Sequence, residues 1–246
     1  MRWIRALAGC ALLPAVPAAG RTLAAIAIAA LPEARTPSWL GLGTGVLLWT
    51  IWSLLLPLPE RGYILGHELT HAFWALCMGG RVGRMRVRRS GGFVELSKSN
   101  IWIALSPYFF PLYTWIILAA YGVCALFFDP VPGQPLWMAA VGWTWAFHIT
   151  FTVRFLWMHQ PDVREYGRLL SYSLITIILV AGLSLWITVI GTPTMRDWGR
   201  RSIEDMRWSY GAIARATSRM VRWIPAPDPY PPAPIRHALP AAPVRP

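Results

Sequence analysis

The stretch LLSYSLITIILVAGLSLWITVI, residues 169–190, contains no Asp, Glu, Lys or Arg. Three further windows are equally free of these residues: Thr36 to Pro59, Ser99 to Phe128 and Pro130 to Val153. A helix needs about 20 predominantly apolar residues to cross a lipid bilayer, and each window is long enough. The sequence therefore predicts an all-α polytopic membrane protein.

The composition of the chain excludes an ordinary soluble globule. Of its 246 residues 55% are hydrophobic and only 14% are charged, and the mean hydropathy is +0.43. Soluble domains carry about 25% charged residues. At this length nearly all of the chain enters one membrane bundle, which leaves no room for a large extramembrane domain.

The net charge of +12 comes from arginine, since the chain contains a single lysine. In a membrane protein such residues mark cytoplasmic loops and contacts with lipid headgroups. We therefore expect the lipid bilayer as a partner and do not expect nucleic acid. Cys10, Cys77 and Cys124 are odd in number and lie in apolar stretches, which is typical of buried cysteines and not of a disulfide or zinc framework.

Five helical spans are predicted within a membrane core at residues 37–191. They are residues 39–56, 60–80, 101–128, 136–157 and 169–190. Pro57 and Pro59 end the first span, because proline cannot donate a hydrogen bond inside a helix. Pro107 and Pro111 predict a bend in the third span.

The N-terminal apolar segment, residues 1–36, admits several interpretations. It begins with Arg2 and Arg5 and contains Arg21 between two apolar runs. A basic start followed by a short apolar run is typical of a signal peptide. A sixth membrane helix or an interfacial helix fits as well, although Arg21 disfavours a clean span.

Residues 81–97 differ in kind from the apolar spans. Arginines alternate with Met85 and Val87 in residues 84–88, and Gly91-Gly92 follows shortly after. Period-two alternation beside a glycine turn predicts a short β-hairpin, inserted after the second of the five spans.

Beyond residue 191 the composition changes twice. In residues 192–224 apolar residues recur at helical spacing with arginines on other faces, which predicts an amphipathic helix on the membrane surface. A helix packed back onto the bundle or onto a partner fits the same pattern. Residues 225–246 contain nine prolines, which predicts an extended, disordered tail that could bind a partner.

Residues 67–71 read His-Glu-Leu-Thr-His, the HExxH pattern. On a helix His67 and His71 share one face, so both imidazoles can reach one metal ion, while Glu68 can take a proton from water. With five His and six Glu in the chain, chance produces this pattern about twice in a thousand such sequences. A catalytic zinc site (Zn2+) is predicted; the alternative is a pair of histidines that hydrogen-bond inside a membrane bundle.

This motif within a hydrophobic chain resembles the site-2 protease family of intramembrane zinc metalloproteases, and more narrowly its bacterial members. The similarity covers roughly residues 58–173 and is carried by residues 66–73, 79–82, 91–96, 106–111 and 160–162. In that family the third zinc ligand is an Asp within an Asn/Pro/Asp/Gly-type motif in a later helix. The resemblance implies Asp162, which follows Pro161 and lies 91 residues beyond His71. Gln160 and Val163 depart from the family motif on either side.

Ligand chemistry alone leaves other third ligands open. His148 lies inside an uncharged span, where an imidazole without a partner is unfavourable, and His159 lies beside Gln160. Both are histidines of the kind that bind zinc. A core or second-shell role is the other interpretation of His148.

The resemblance implies a zinc endopeptidase that cleaves a membrane-anchored protein substrate, in the manner of regulated intramembrane proteolysis. Glu68 would act as general base and then protonate the leaving amine. The hairpin could pair with an extended substrate or serve as a connector. Asn100 and Gln160 could orient the substrate, or be local helix caps. The alternative function is a catalytically silent membrane scaffold or partner-binding relative of the same fold.

The distribution of arginine also predicts an orientation. The loop of residues 81–100 carries six Lys or Arg and that of residues 154–168 carries three, whereas residues 129–134 carry none. The first two loops are therefore expected in the cytoplasm, and the resemblance implies a bacterial inner membrane. If each span crosses the membrane once, this orientation places the C-terminal arginines outside, against the charge rule. Either a long tail is exempt from the rule, or the last segment does not span the membrane fully.

Overall fold

The computed structural model describes residues 2–88, 91–158 and 160–222. Within these ranges the chain is mostly helical, with one small antiparallel sheet. The helices are α1 Arg2–Leu12, α2 Ala15–Ala30, α3 Pro37–Leu55, α4 Glu60–Cys77, α5 Ile101–Phe109, α6 Leu112–Ala125, α7 Gln134–Trp157, α8 Pro161–Tyr166, α9 Arg168–Ile190 and α10 Met195–Arg222; the strands are β1 Val82–Arg88 and β2 Gly91–Leu96. The predicted proline-rich tail, residues 225–246, and His159 lie outside the described residues.

Three helical stretches are long and apolar enough to cross a membrane, namely residues 2–33, α3 and α9. α5 and α6 add a fourth if they count as one span. α4 and α7, which were also predicted as spans, do not reach this hydropathy within the described chain, because α4 carries three charged residues and α7 contains four tryptophans. The prediction of five or six spans is therefore matched only in part.

The predicted bend in residues 101–128 is confirmed. α5 ends at Phe109 and α6 begins at Leu112, and the axes of the two helices differ by 75°. Pro111 lies at the break, where its missing N–H ends the backbone ladder. Pro107 lies inside α5, so only one of the two prolines marks the bend.

Helices α3 and α7 pack in backbone contact. A β-carbon at Gly45 would lie 1.9 Å from the carbonyl oxygen of Ala139, and one at Gly41 would lie 2.2 Å from that of Pro135. Small residues four apart allow two helices to approach this closely. One turn beyond Gly45, the Trp49 indole is 1% exposed and donates to Oγ1 of Thr150 over 3.0 Å, which anchors α3 beside the helix that carries His148.

The predicted hairpin is confirmed and packs against α4. β1 and β2 pair antiparallel, with Arg86 opposite Phe93 and Val87 opposite Gly92. The arginines of β1 are exposed, while Met85 and Val87 are half-buried. The alternation read from the sequence thus separates a solvent face from a face that packs on the rest of the protein.

The first half of α10 packs back onto the N-terminal helices. Asp205 is 2% exposed and accepts hydrogen bonds from Arg21 Nε at 2.9 Å and from Thr22 Oγ1 at 3.0 Å. Ser209 donates to the carbonyl of Pro14. Of the two interpretations of this amphipathic segment, packing onto the bundle therefore describes residues 195–210, and a purely surface helix does not.

Candidate metal centre

Helix α4 brings the two histidines of the HExxH pattern together. It runs from Glu60 to Cys77, so His67 and His71 are one turn apart on the same face. Their Nε2 atoms lie 3.2 Å from each other. The two imidazoles are therefore close enough to face one metal ion.

Asp162 reaches the same point from the short helix α8. Pro161 occupies the first position of this helix, where its missing N–H costs nothing and its fixed φ favours the first turn. Val163 is 2% exposed in a core cluster with Leu105 and anchors α8. Oδ2 of Asp162 consequently lies 3.6 Å from Nε2 of His67 and 3.7 Å from Nε2 of His71.

The separations of these three atoms fit a small metal ion. The point in their plane that is equidistant from all three lies about 2.0 Å from each, which matches Zn–N and Zn–O bond lengths. Donors around a tetrahedral zinc ion lie about 3.3 Å apart. The set of two imidazoles and one carboxylate with an open fourth position is the type found in catalytic zinc sites. Among the described residues, His67, His71 and Asp162 form the cluster that could hold a metal.

The backbone of α5 orients His71. Nδ1 of His71 lies 2.8 Å from the carbonyl oxygen of Ile103, and a carbonyl can only accept, so Nδ1 carries the proton and donates it. In the neutral ring Nε2 then has a lone pair that is free to bind a metal ion. Asn100 caps α5, since its side-chain oxygen accepts from the backbone N–H of Trp102 and of Ile103. The structure therefore places Asn100 as a helix cap that positions Ile103.

A tyrosine that sequence reasoning did not assign supports Asp162. Tyr108 is fully buried, and its hydroxyl donates to Oδ2 of Asp162 over 3.0 Å. Burial raises the pKa of Asp162, but its contacts with the His67 and His71 imidazoles outweigh burial and hold the pKa of this carboxyl well below its usual range. Asp162 is therefore a carboxylate at neutral pH, as a metal ligand must be.

Glu68 lies beside the cluster in a cavity of about 400 Å³. The side chain is buried, and strand β2 passes directly over it: a β-carbon at Gly92 would lie 2.9 Å from Oε1 of Glu68 and 2.7 Å from Cγ2 of Ile64. The three metal-binding candidates line the same cavity, as do four residues of β2. Glu68, the cluster and one strand of the hairpin thus share a single chamber.

The remaining predicted residues divide between two cavities. Gln160 lines the chamber of Glu68, together with Ser99 and Glu165, which sequence reasoning missed because nothing in their local pattern marks them. His148 lines a separate cavity of about 20 Å³ on the other side of His67. The structure therefore does not bring His148 into the metal cluster.

Comparisons with known proteins do not assign this site to a family. No protein-family model matches the chain, and neither a curated protein nor a solved structure matches it.

Proposed function

We propose that this protein is an intramembrane zinc endopeptidase of the site-2 protease type, which hydrolyses a peptide bond of a membrane-anchored protein. One observation carries the proposal: Nε2 of His67, Nε2 of His71 and Oδ2 of Asp162 converge at zinc-like separations, in one cavity with the carboxylate of Glu68. A ligand set and a general base in one chamber are the parts that hydrolysis of an amide requires.

The chemistry divides between the ion and Glu68. Bound by His67, His71 and Asp162, zinc supplies a Lewis acid that polarises the scissile carbonyl and lowers the pKa of water to about 7. Glu68 accepts the proton of the attacking water and then gives it to the nitrogen of the leaving amine. Its burial beneath β2 keeps the carboxylate in one place through both transfers.

The hairpin supports a way to present the substrate. A membrane helix hides its peptide bonds in its own hydrogen bonds, so the substrate must unwind before it can react. β2 pairs with β1 and with no other described strand, and Gly92, Phe93, Val94 and Leu96 line the cavity. An extended peptide added to the free edge of β2 would lie beside Glu68.

The helices support an integral membrane protein. Three stretches are long and apolar enough to span a bilayer, and the N-terminal one carries Arg21 beside the carboxylate of Asp205, which lowers the cost of a buried charge. A location in a bacterial inner membrane follows from the resemblance and is part of this proposal.

The metal content of the detergent-purified protein tests the proposal first. We expect about one zinc per chain, and we expect His67→Ala and Asp162→Ala to abolish binding. His237→Ala, in the C-terminal tail, is the matched histidine control and should keep the metal. Wild-type protein without zinc after metal-replete purification would overturn the proposal and favour the scaffold function.

Activity is the second step. Glu68→Gln should keep zinc and lose cleavage, because only the base is removed, and it can then retain bound substrates for identification by mass spectrometry. A zinc-loaded wild type whose cleavage is unaffected by Glu68→Gln would contradict the assigned role of Glu68.

A further inference from the structure

The two histidines of the cluster are supported unequally. Nδ1 of His71 donates to the carbonyl of Ile103. Nδ1 of His67 is buried and has no hydrogen-bond partner among the described residues. Histidines that bind a metal almost always donate their other ring N–H to a carbonyl, a carboxylate or water. His67 is therefore expected to have such an acceptor as well.

Metal binding makes this partner necessary. When Nε2 of His67 holds a metal ion, the neutral ring carries its proton on Nδ1. A buried N–H without an acceptor is unfavourable, and here it would weaken metal binding. The position behind His67 must therefore provide an acceptor.

The small cavity behind His67 provides one. Its volume is about 20 Å³, which suits a single water molecule, since one water needs roughly 10–15 Å³ and two to four polar partners. Among the residues that line it are His67, Tyr63 and His148. Each of the three has a buried polar atom without a partner in the described chain: Nδ1 of His67, Oη of Tyr63 and Nε2 of His148.

The tautomer of His148 sets the direction of the hydrogen bonds in this cavity. In the tautomer of His148 that carries its proton on Nδ1, the buried and unpartnered Nε2 holds a lone pair. Nε2 of His148 is then an acceptor. A water in the cavity can accept from Nδ1 of His67 and donate to Nε2 of His148, and Oη of Tyr63 completes its partners.

We infer that a single ordered water links Nδ1 of His67 to Nε2 of His148, and that His148 is a positioning residue for the metal centre. Through this water His148 fixes the tautomer and the ring plane of His67, as the Ile103 carbonyl does for His71. The inference rests on the proposed metal site.

Zinc affinity, measured by competition with a chromophoric chelator in the full-length protein, tests this role. His148→Phe removes the acceptor but keeps a ring, and we expect about tenfold to hundredfold weaker zinc binding. His148→Gln can still accept from the water and should recover most of the affinity. The matched control is Trp145→Phe on the same helix, which also removes a buried unpartnered N–H but lines a different cavity; its affinity should equal that of the wild type.

A second variant covers the case in which His148→Phe does not fold. Tyr63→Phe removes one partner of the water but keeps the ring, which stacks on Phe151 with centroids 4.7 Å apart, and we expect zinc affinity to fall several-fold. The cobalt-loaded protein should also show a shifted ligand-field spectrum in His148→Phe, since the plane of His67 changes.

Three results separate the inference from the proposed function, and two of them would overturn the inference. Zinc affinity unchanged in both His148→Phe and Tyr63→Phe contradicts the water link alone. A wild type that binds zinc but cleaves nothing contradicts the peptidase and leaves the measured affinities to support the link. A wild type that binds no zinc overturns both.

Discussion

At the scale of single residues, the Tyr108 hydroxyl is the feature that ties the third ligand to the core. Its hydrogen bond to Oδ2 of Asp162 restricts the carboxylate, so we expect Tyr108→Phe to weaken zinc binding about tenfold. The ring remains buried, so the free energy of unfolding should fall by only about 1 kcal/mol. Chelator competition and thermal unfolding measure the two effects.

The control for this variant is Tyr172→Phe. It removes a hydroxyl that donates to the carbonyl of Leu156 over 3.1 Å. Tyr172 lines neither of the two cavities that meet at His67, so this variant should leave zinc affinity unchanged. Equal losses of affinity in the two variants would contradict a specific role for Tyr108.

Gly92 is the residue that fits the hairpin onto Glu68. Because a β-carbon there would come within 3.0 Å of both Ile64 and Glu68, Gly92→Ala must displace the strand or the carboxylate. We expect cleavage to fall about tenfold to hundredfold with one zinc still bound. Gly62→Ala is the control in α4, since nothing lies within 4 Å of a β-carbon at that position. Unchanged turnover in Gly92→Ala would exclude close control of Glu68 by the strand.

The site residues differ in how far the sequence could predict them. His67, Glu68 and His71 lie within five positions, and helical geometry alone brings the two imidazoles together. Asp162 is 91 residues beyond His71, so only the resemblance pointed to it. In the structure its Oδ2 lies 3.6 Å from Nε2 of His67. The contact of Tyr108 depends on the packing of α5 against α8, for which no local pattern exists.

At the scale of elements, the contact between α3 and α7 depends on which glycine faces α7. Gly43 and Gly45 lie on one helix, but a β-carbon at Gly43 meets nothing within 4 Å, whereas one at Gly45 would lie 1.9 Å from Ala139 O. We expect Gly45→Ala to force the helices apart and to destabilise the protein by about 1–3 kcal/mol or more. Gly43→Ala should instead be neutral or stabilising by up to about 1 kcal/mol, because alanine favours helix.

Thermal unfolding in detergent measures both alanine variants. Similar midpoints for the two would contradict the close approach of α3 and α7. The spacing of Gly41 and Gly45 is the sequence signal for this contact, and a search for small residues four apart would have found it.

Elements with a local period were predictable and those fixed by distant contacts were not. The hairpin follows from alternation in residues 84–88, and its two strands are confirmed within the predicted residues 81–97. α8 is six residues long and is held by Val163 in the core. A helix this short has no repeating apolar pattern from which it could be predicted. The packing of residues 195–210 of α10 was not predictable either, because their amphipathic pattern fits a membrane surface as well as a protein surface.

At the scale of the whole molecule, the first half of α10 returns along the N-terminal helices. Trp198 donates to Oγ of Ser184 near the end of α9, whereas Tyr210 donates to the carbonyl of Ala11. Ala11 lies close to Gly9, where a β-carbon would meet the backbone of Leu170 at the start of α9. The chain up to Tyr210 therefore runs back toward the end of α9 that follows α8.

The same packing makes the N-terminal helices part of the fold. Gly9 touches α9, and Arg21 and Thr22 hold Asp205 across more than 180 residues of sequence. We expect the mature protein to retain residues 2–33, which intact-mass spectrometry of the purified protein measures. A mature chain that begins after residue 31 would contradict this prediction and restore the signal-peptide interpretation.

Asp205→Ala tests how much the contact between α10 and the N-terminal helices stabilises the fold. The change leaves the buried hydroxyl of Thr22 without its acceptor and Arg21 without its charge partner. Because the Arg21 side chain is 47% exposed, water screens much of the ion pair, and we expect a loss of about 1–3 kcal/mol in the free energy of unfolding. Glu204→Ala, its neighbour with a side chain 53% exposed, should change stability by less than about 0.5 kcal/mol. Limited proteolysis should then cut residues 195–210 faster in Asp205→Ala only; equal cleavage in both variants would mean that Asp205 does not hold α10 against the N-terminal helices.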